Sequence, residues 1–150
     1  MRLYLDTSAL VKLYVDEEGS PLVRSVVEQA GLVATSEVAY VEARAAFVRR
    51  RHEGGLSVRD YRRIVQDLDA DWPRYLVVEI TDSLIREGAR LSEAYRLRAY
   101  DAIHLASAAA IHGRLAEAVV FASWDIELER AAKGEGLELL RSPKYLPRHG

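Results

Sequence analysis

The chain has 150 residues, 49% hydrophobic and 29% charged, with a formal net charge of −2. That size fits one domain with a sizeable core over residues 1–150, and the near-zero charge excludes a global basic field announcing a nucleic-acid partner. There is no cysteine, which excludes disulfides, thiol catalysis and thiolate metal sites and fits a reducing, cytoplasmic setting.

Leu3-Tyr4-Leu5 reads as a buried first strand, of the kind a parallel sheet covers on both faces. Asp6-Thr7-Ser8 follows with N-cap chemistry for a helix through Ala9, Leu10, Val11 and Leu13. Asp6 also interrupts the apolar run before a secretory signal can form. No later segment reaches the roughly 20 apolar residues of a membrane span. Residues 16–21 read as a turn, with Ser20 as cap and Pro21 in the first helical position. Val23, Val26 and Val27 then space as a helix ended by Gly31. A second strand covers 32–35, and Ser36-Glu37 opens a long helix to about Glu53, stopped by Gly54-Gly55. Ser57 caps a helix carrying Tyr61, Ile64, Val65 and Leu68, with Pro73 near its end. The third strand spans 76–80, and Thr81-Asp82 caps a helix with Leu84, Ile85, Ala89 and Leu91. Tyr100-Asp101 begins an Ala-rich helix to about His112. A fourth strand at 118–122 leads through Ser123-Trp124-Asp125 into a helix stopped near Gly134, and a fifth strand covers 137–140. Pro143 and Pro147 mark a tail, 143–150, expected to be loose.

Strands alternating with helices predict a parallel sheet in an α/β layer fold. Right-handed crossovers bring every strand's carboxyl end to one edge, where ligands bind in open α/β sheets. Asp6 and Asp125 follow strands and should stand there, each either capping a helix or facing a ligand. Glu42 falls within a stripe of Val38, Val41, Ala45 and Ala46 on its helix. A carboxylate on a core-facing stripe needs a partner, either an internal arginine or a metal. Asp101 is the only charge at the mouth of its helix, and capping is its alternative role. Four carboxylates in one cleft would repel one another unless their pKa values rise or a cation neutralises them. An all-oxygen set suits Mg²⁺ or Mn²⁺ rather than zinc. Such ions bind phosphate oxygens and activate water, which points to phosphodiester hydrolysis. His104 and His112 lie too far apart on one helix to share an ion, so His104 is expected to pack or to support the acids.

Together, Leu5-Asp6-Thr7-Ser8, residues 35–42, residues 100–106 and Ala122-Ser123-Trp124-Asp125 resemble the PIN domain, in particular the VapC-type toxins of toxin–antitoxin systems. The resemblance covers nearly the whole chain. It implies a five-stranded parallel sheet in a Rossmann-like α/β/α sandwich, and a Mg²⁺- or Mn²⁺-dependent endoribonuclease. It implies Asp6, Glu42, Asp101 and Asp125 as the catalytic, metal-holding acids, with Thr7, Ser8, Ser36 and Ser123 supporting them. It further implies a homodimer and a cognate antitoxin whose tail wraps the toxin.

Arg44, Arg49, Arg50, Arg51, Arg59, Arg62 and Arg63 crowd two successive helices. They form either a clamp for RNA phosphates, with Arg49, Arg50 and Arg51 at its centre, or a solvated face bridged by Glu53, Asp60 and Asp67. Tyr100 and Trp124 flank the acids and could stack a base or pack in the core. Three alternatives stand beside the ribonuclease. One is a phosphoacceptor domain of the response-regulator type, for which Asp82 could be the acceptor after the third strand, but Asp6 lacks the adjacent acid and Lys144 is poorly placed. The others are a non-catalytic binding protein of the same fold and the same chemistry turned on DNA.

Overall fold

The computed structural model describes residues 1–114 and 117–146. Strand β1 (Arg2–Leu5) runs through helices α1 (Thr7–Val11) and α2 (Ser20–Gln29) into β2 (Leu32–Ser36). Helices α3 (Val38–His52) and α4 (Val58–Asp71), then a 3-10 turn (Trp72–Arg74), lead to β3 (Leu76–Val78). Helices α5 (Asp82–Tyr95) and α6 (Ala99–His112) precede β4 (Val119–Ala122), and α7 (Ile126–Gly134) precedes β5 (Glu138–Leu139). Among the described residues no helix is long and apolar enough to cross a membrane.

The sheet order is β3-β2-β1-β4-β5 and every pairing is parallel. This is the Rossmann-like doubly wound order, not the 2-1-3-4-5 doubly wound order a response-regulator domain needs, so that alternative falls away. The chain steps outward from β1 through β2 to β3, then returns to place β4 on the other side of β1. The crevice of such a sheet therefore opens between the carboxyl ends of β1 and β4.

Alternation along the central strands separates two apolar layers. Leu3, Leu5, Val120 and Ala122 pack with α1 to α4, whereas Tyr4, Ala34, Val119 and Phe121 pack with α5 to α7. Each central strand is thus apolar on both faces, which explains its unbroken hydrophobic run.

Local outcomes differ from expectation in four places. Ser20 does not cap α2, because its hydroxyl donates to Val15 O and accepts from Glu17 N–H. Gly19 takes the cap position at φ +90, and a Cβ there would clash with the Trp124 ring. Strand β3 stops two residues early, because the Ile80 N–H donates to Glu37 Oε2 (3.0 Å) instead of a ladder. On α3 the buried residues are Val38, Ala39, Ala43 and Phe47, so Val38 of the expected stripe is buried while Val41 is 62% exposed. Glu42 therefore borders the buried face rather than lying within it. Of the tail, residues 143–146 form turns and Tyr145 packs against the α1–α4 layer, whereas 147–150 lie outside the described residues.

Candidate functional site

The crevice begins where β1 ends. Asp6 donates its N–H to Ala122 O (3.1 Å), so it continues alongside β4 before the chain turns. Its side chain caps α1, with Oδ1 accepting from Ala9 N–H (2.9 Å) and Ser8 Oγ (2.6 Å). Ser8 Oγ in turn accepts the Trp124 N–H (3.0 Å), tying the ends of β1 and β4 together. Asp6 is only 4% exposed. Burial raises its pKa, against the opposing pull of His104, Ser123 and Ser8. Across the crevice Asp125 caps α7 through Oδ1, which accepts the Leu128 N–H (3.0 Å), and its own N–H donates to the buried Ser123 Oγ. Capping and facing the crevice are therefore compatible for both residues: each spends one oxygen on its helix.

Among the described residues Glu42 has no arginine partner. Its Oε1 accepts from Thr7 Oγ1 (2.7 Å) and meets His104 Nε2 (2.8 Å). Burial alone would raise its pKa, but the His104 and Thr7 hydrogen bonds pull it below the usual carboxylate value. Ser36 is buried at the end of β2, where its Oγ accepts the Val38 N–H (3.3 Å) and helps turn the chain into α3.

Asp101 behaves differently from the other three. Arg98 occupies the cap position of α6 and Asp101 lies inside its first turn. Its carboxylate accepts no hydrogen bond among the described residues. Burial raises its pKa, and the negative charges of Asp125, Asp6 and Glu42 raise it further. All three acids act on it, so the sheet has gathered the four to one edge within electrostatic reach. Among the described residues, however, no three His, Asp or Glu side chains stand close enough to ligate one ion. The donors fit a hard divalent cation in kind, being carboxylate oxygens under mutual repulsion.

Cations border the acids. A cleft of about 510 Å³ is lined by Thr7, Ser8, Lys12, Glu42, Arg49 and Tyr100 among others. Lys12 is buried, bonds Glu17 Oε1 (2.8 Å) and lies over the Trp124 ring (4.8 Å). Of the three central arginines only Arg49 lines this cleft. Arg50 bonds Glu17 from outside it, and Arg51 lies over the Tyr61 ring (5.2 Å). Tyr100 is 56% exposed at the cleft, whereas Trp124 is packed between Lys12 and Arg141. Sequence reasoning missed Lys12, although a lone cation inside the run Ala9-Leu10-Val11-Lys12-Leu13 was a usable signal.

With this geometry in view, the likeness to known proteins becomes specific. The PIN domain pattern matches residues 3–134. Ribonuclease VapC45 of Mycobacterium tuberculosis (strain CDC 1551 / Oshkosh) is 32% identical over 134 residues, covering 89% of this chain and 91% of that protein. The crystal structure of VapBC2 from Rickettsia felis bound to a promoter DNA fragment shares the fold at TM-score 0.63 and 14% identity, covering 93% of this chain and 97% of that one. A toxin–antitoxin complex from Klebsiella pneumoniae aligns at TM-score 0.53 and 21% identity, over 80% of this chain and 84% of that one. The chain belongs to the PIN domain family and is a relative of the VapC ribonucleases.

Proposed function

We propose that the protein is the toxin of a toxin–antitoxin pair, an endoribonuclease that hydrolyses RNA phosphodiesters with Mg²⁺ or Mn²⁺ and is restrained by a cognate antitoxin. The observation that carries the reading is Asp101, whose carboxylate accepts no hydrogen bond among the described residues and whose pKa is raised first by burial and then by the negative charges of Asp125, Asp6 and Glu42. Kinship with VapC45, named as a ribonuclease, supports RNA as the substrate. The antitoxin is supported by the Klebsiella pneumoniae neighbour, which is a toxin–antitoxin complex.

In this reading Asp6, Glu42, Asp101 and Asp125 hold the cation. When bound, it supplies charge for the scissile phosphate and lowers the pKa of a water. The chain does the positioning. Ser8 and the Ala9 N–H fix Asp6 Oδ1, Thr7 fixes Glu42 Oε1, and the Leu128 N–H fixes Asp125 Oδ1. Arg49, beside Lys12, meets the phosphate next to the reacting one, and Tyr100 offers a ring to a base.

The test is cleavage of total cellular RNA by purified, antitoxin-free protein with Mg²⁺, with Mn²⁺ and with chelator, beside Asp6→Asn and Asp101→Asn. Discrete fragments that need metal and vanish in both variants are expected. No cleavage by folded protein under any condition would turn the reading toward a non-catalytic binding role.

A further inference from the structure

His104 is 2% exposed, and the assignments above leave it without a task of its own. Both of its ring nitrogens are occupied. Nδ1 meets the Tyr4 hydroxyl at 2.8 Å, and Nε2 meets Glu42 Oε1 at 2.8 Å and Thr7 Oγ1 at 3.0 Å. The proton positions follow from what each neighbour can do. Glu42 as a carboxylate only accepts, and the Thr7 hydroxyl already donates to the same oxygen at 2.7 Å. Nε2 must therefore carry hydrogen, whether the ring is neutral or charged. Tyr4 is fully buried, stacked on Phe121 (5.5 Å) and edge-on to His104 (5.9 Å), so both rings are held by packing as well as by hydrogen bonds. Burial also keeps the Tyr4 hydroxyl protonated.

The partners come from distant parts of the chain. Tyr4 is in β1, Thr7 in α1, Glu42 in α3 and His104 in α6. Among the described residues both side-chain hydrogen bonds to Glu42 fall on Oε1, which leaves Oε2 as its free oxygen.

The geometry points to His104 as a positioning residue: anchored by Tyr4, it clamps Glu42 Oε1 together with Thr7, so that Oε2 is presented to the divalent cation. The inference rests on the proposed nuclease reading. Hydrogen-bonded supports of this kind change metal affinity or activity by about 10–100-fold when removed.

The experiment compares His104→Ala, His104→Gln and Tyr4→Phe with the parent protein. It measures Mn²⁺ affinity by calorimetry without RNA, kcat and KM for RNA cleavage, and the melting temperature. His104→Ala is expected to weaken Mn²⁺ binding and to lower kcat by about 10-fold or more, with KM for RNA little changed. His104→Gln replaces the Nε2–H donor with an amide and should recover much of both losses. Tyr4→Phe keeps the packing but frees the imidazole, and should fall between them. Parent-like Mn²⁺ affinity and kcat in His104→Ala would overturn the clamp. So would losses in His104→Gln equal to those in His104→Ala, because bulk alone would then explain them. A parent protein that neither binds Mn²⁺ nor cuts RNA would overturn the nuclease reading, and the clamp with it. A parent that does both, with variants indistinguishable from it, removes the clamp alone.

Discussion

Carboxylates at two places in this molecule live under opposite rules. On the outer surface of α5, Glu87 takes a forked contact from Arg90, whose nitrogens lie 2.6 and 3.1 Å from its oxygens. Arg90 also reaches Glu135 (3.0 Å), which accepts from Tyr95 as well (2.6 Å). The Arg90 hydrogen bond holds the Glu87 pKa below its usual value. At the carboxyl edge of the sheet no arginine hydrogen-bonds the four acids among the described residues, and burial followed by three neighbouring acids pushes Asp101 up. Both regions were available to the same chemistry. The surface uses it to settle its charges, and the edge leaves Asp101 unsettled, as the proposed cation-binding reaction centre would require.

The largest expected contrast is in activity. Asp101→Asn should lower RNA cleavage by at least about 100-fold, a size typical of removing one electrostatic element from a reaction centre. Glu87→Gln should leave it unchanged. Steady-state cleavage of one RNA by both variants checks this, and equal losses would erase the distinction between the regions.

The second contrast is in metal linkage. A cation that binds only the folded state at about 100 times its Kd adds roughly 2.7 kcal/mol, or about 5–10 °C in a domain of this size. Thermal melts with saturating Mn²⁺ should show a rise of that order for the parent and for Glu87→Gln. Asp101→Asn should show little. An equal rise in all three would place the cation away from Asp101.

Much of the edge was legible in the sequence, for a physical reason. A buried parallel strand is a continuous apolar run, and a chain that turns into a helix at its end needs a cap, so Leu3-Tyr4-Leu5-Asp6-Thr7-Ser8 announces both strand and edge. Glu42 was found through a misplaced stripe. Helix α3 carries apolar residues on two sides, and periodicity alone cannot tell Val41 and Ala45 from Ala39 and Ala43. Only packing against Leu10 and Ile64 in the same layer distinguishes the buried side. The environment of Asp101 was not legible either, because its raised pKa comes first from burial by the fold and then from acids up to 95 positions away in the chain. The arginine run shows the opposite failure. Arg49, Arg50 and Arg51 look equivalent in sequence, yet a helix sends neighbours in different directions, and only Arg49 reaches the cleft.

That divergence gives a smaller prediction. Arg49→Ala should weaken RNA binding and reduce the magnitude of its salt slope by about 0.7, the share of one phosphate contact on a single strand. Arg51→Ala should do neither, because its guanidinium lies over Tyr61. Binding isotherms at several salt concentrations separate the two, and equal effects would restore a broad arginine clamp.

The smallest contrast is one of sign, in metal-free protein. Asp101 has its folded pKa above the unfolded value, so the folded state binds the proton more tightly and stability falls as pH rises through that window. At neutral pH the charged form therefore destabilises the fold. Asp101→Asn should raise the melting temperature by about 1–3 °C, a modest figure because the group is half exposed and screened. As pH drops through the folded pKa the parent protonates and the gap should close. Glu87 has its folded pKa lowered, so its contribution is present above the unfolded pKa and is lost as pH falls through the folded one. Glu87→Gln should therefore lower the melting temperature at neutral pH, and that gap should also close on acidification. Melts of both variants with chelator from pH 7 down to about pH 3, which passes below the ordinary carboxylate range, test the pair. Two shifts of the same sign would mean that the acids at the sheet edge are no less settled than those on the surface.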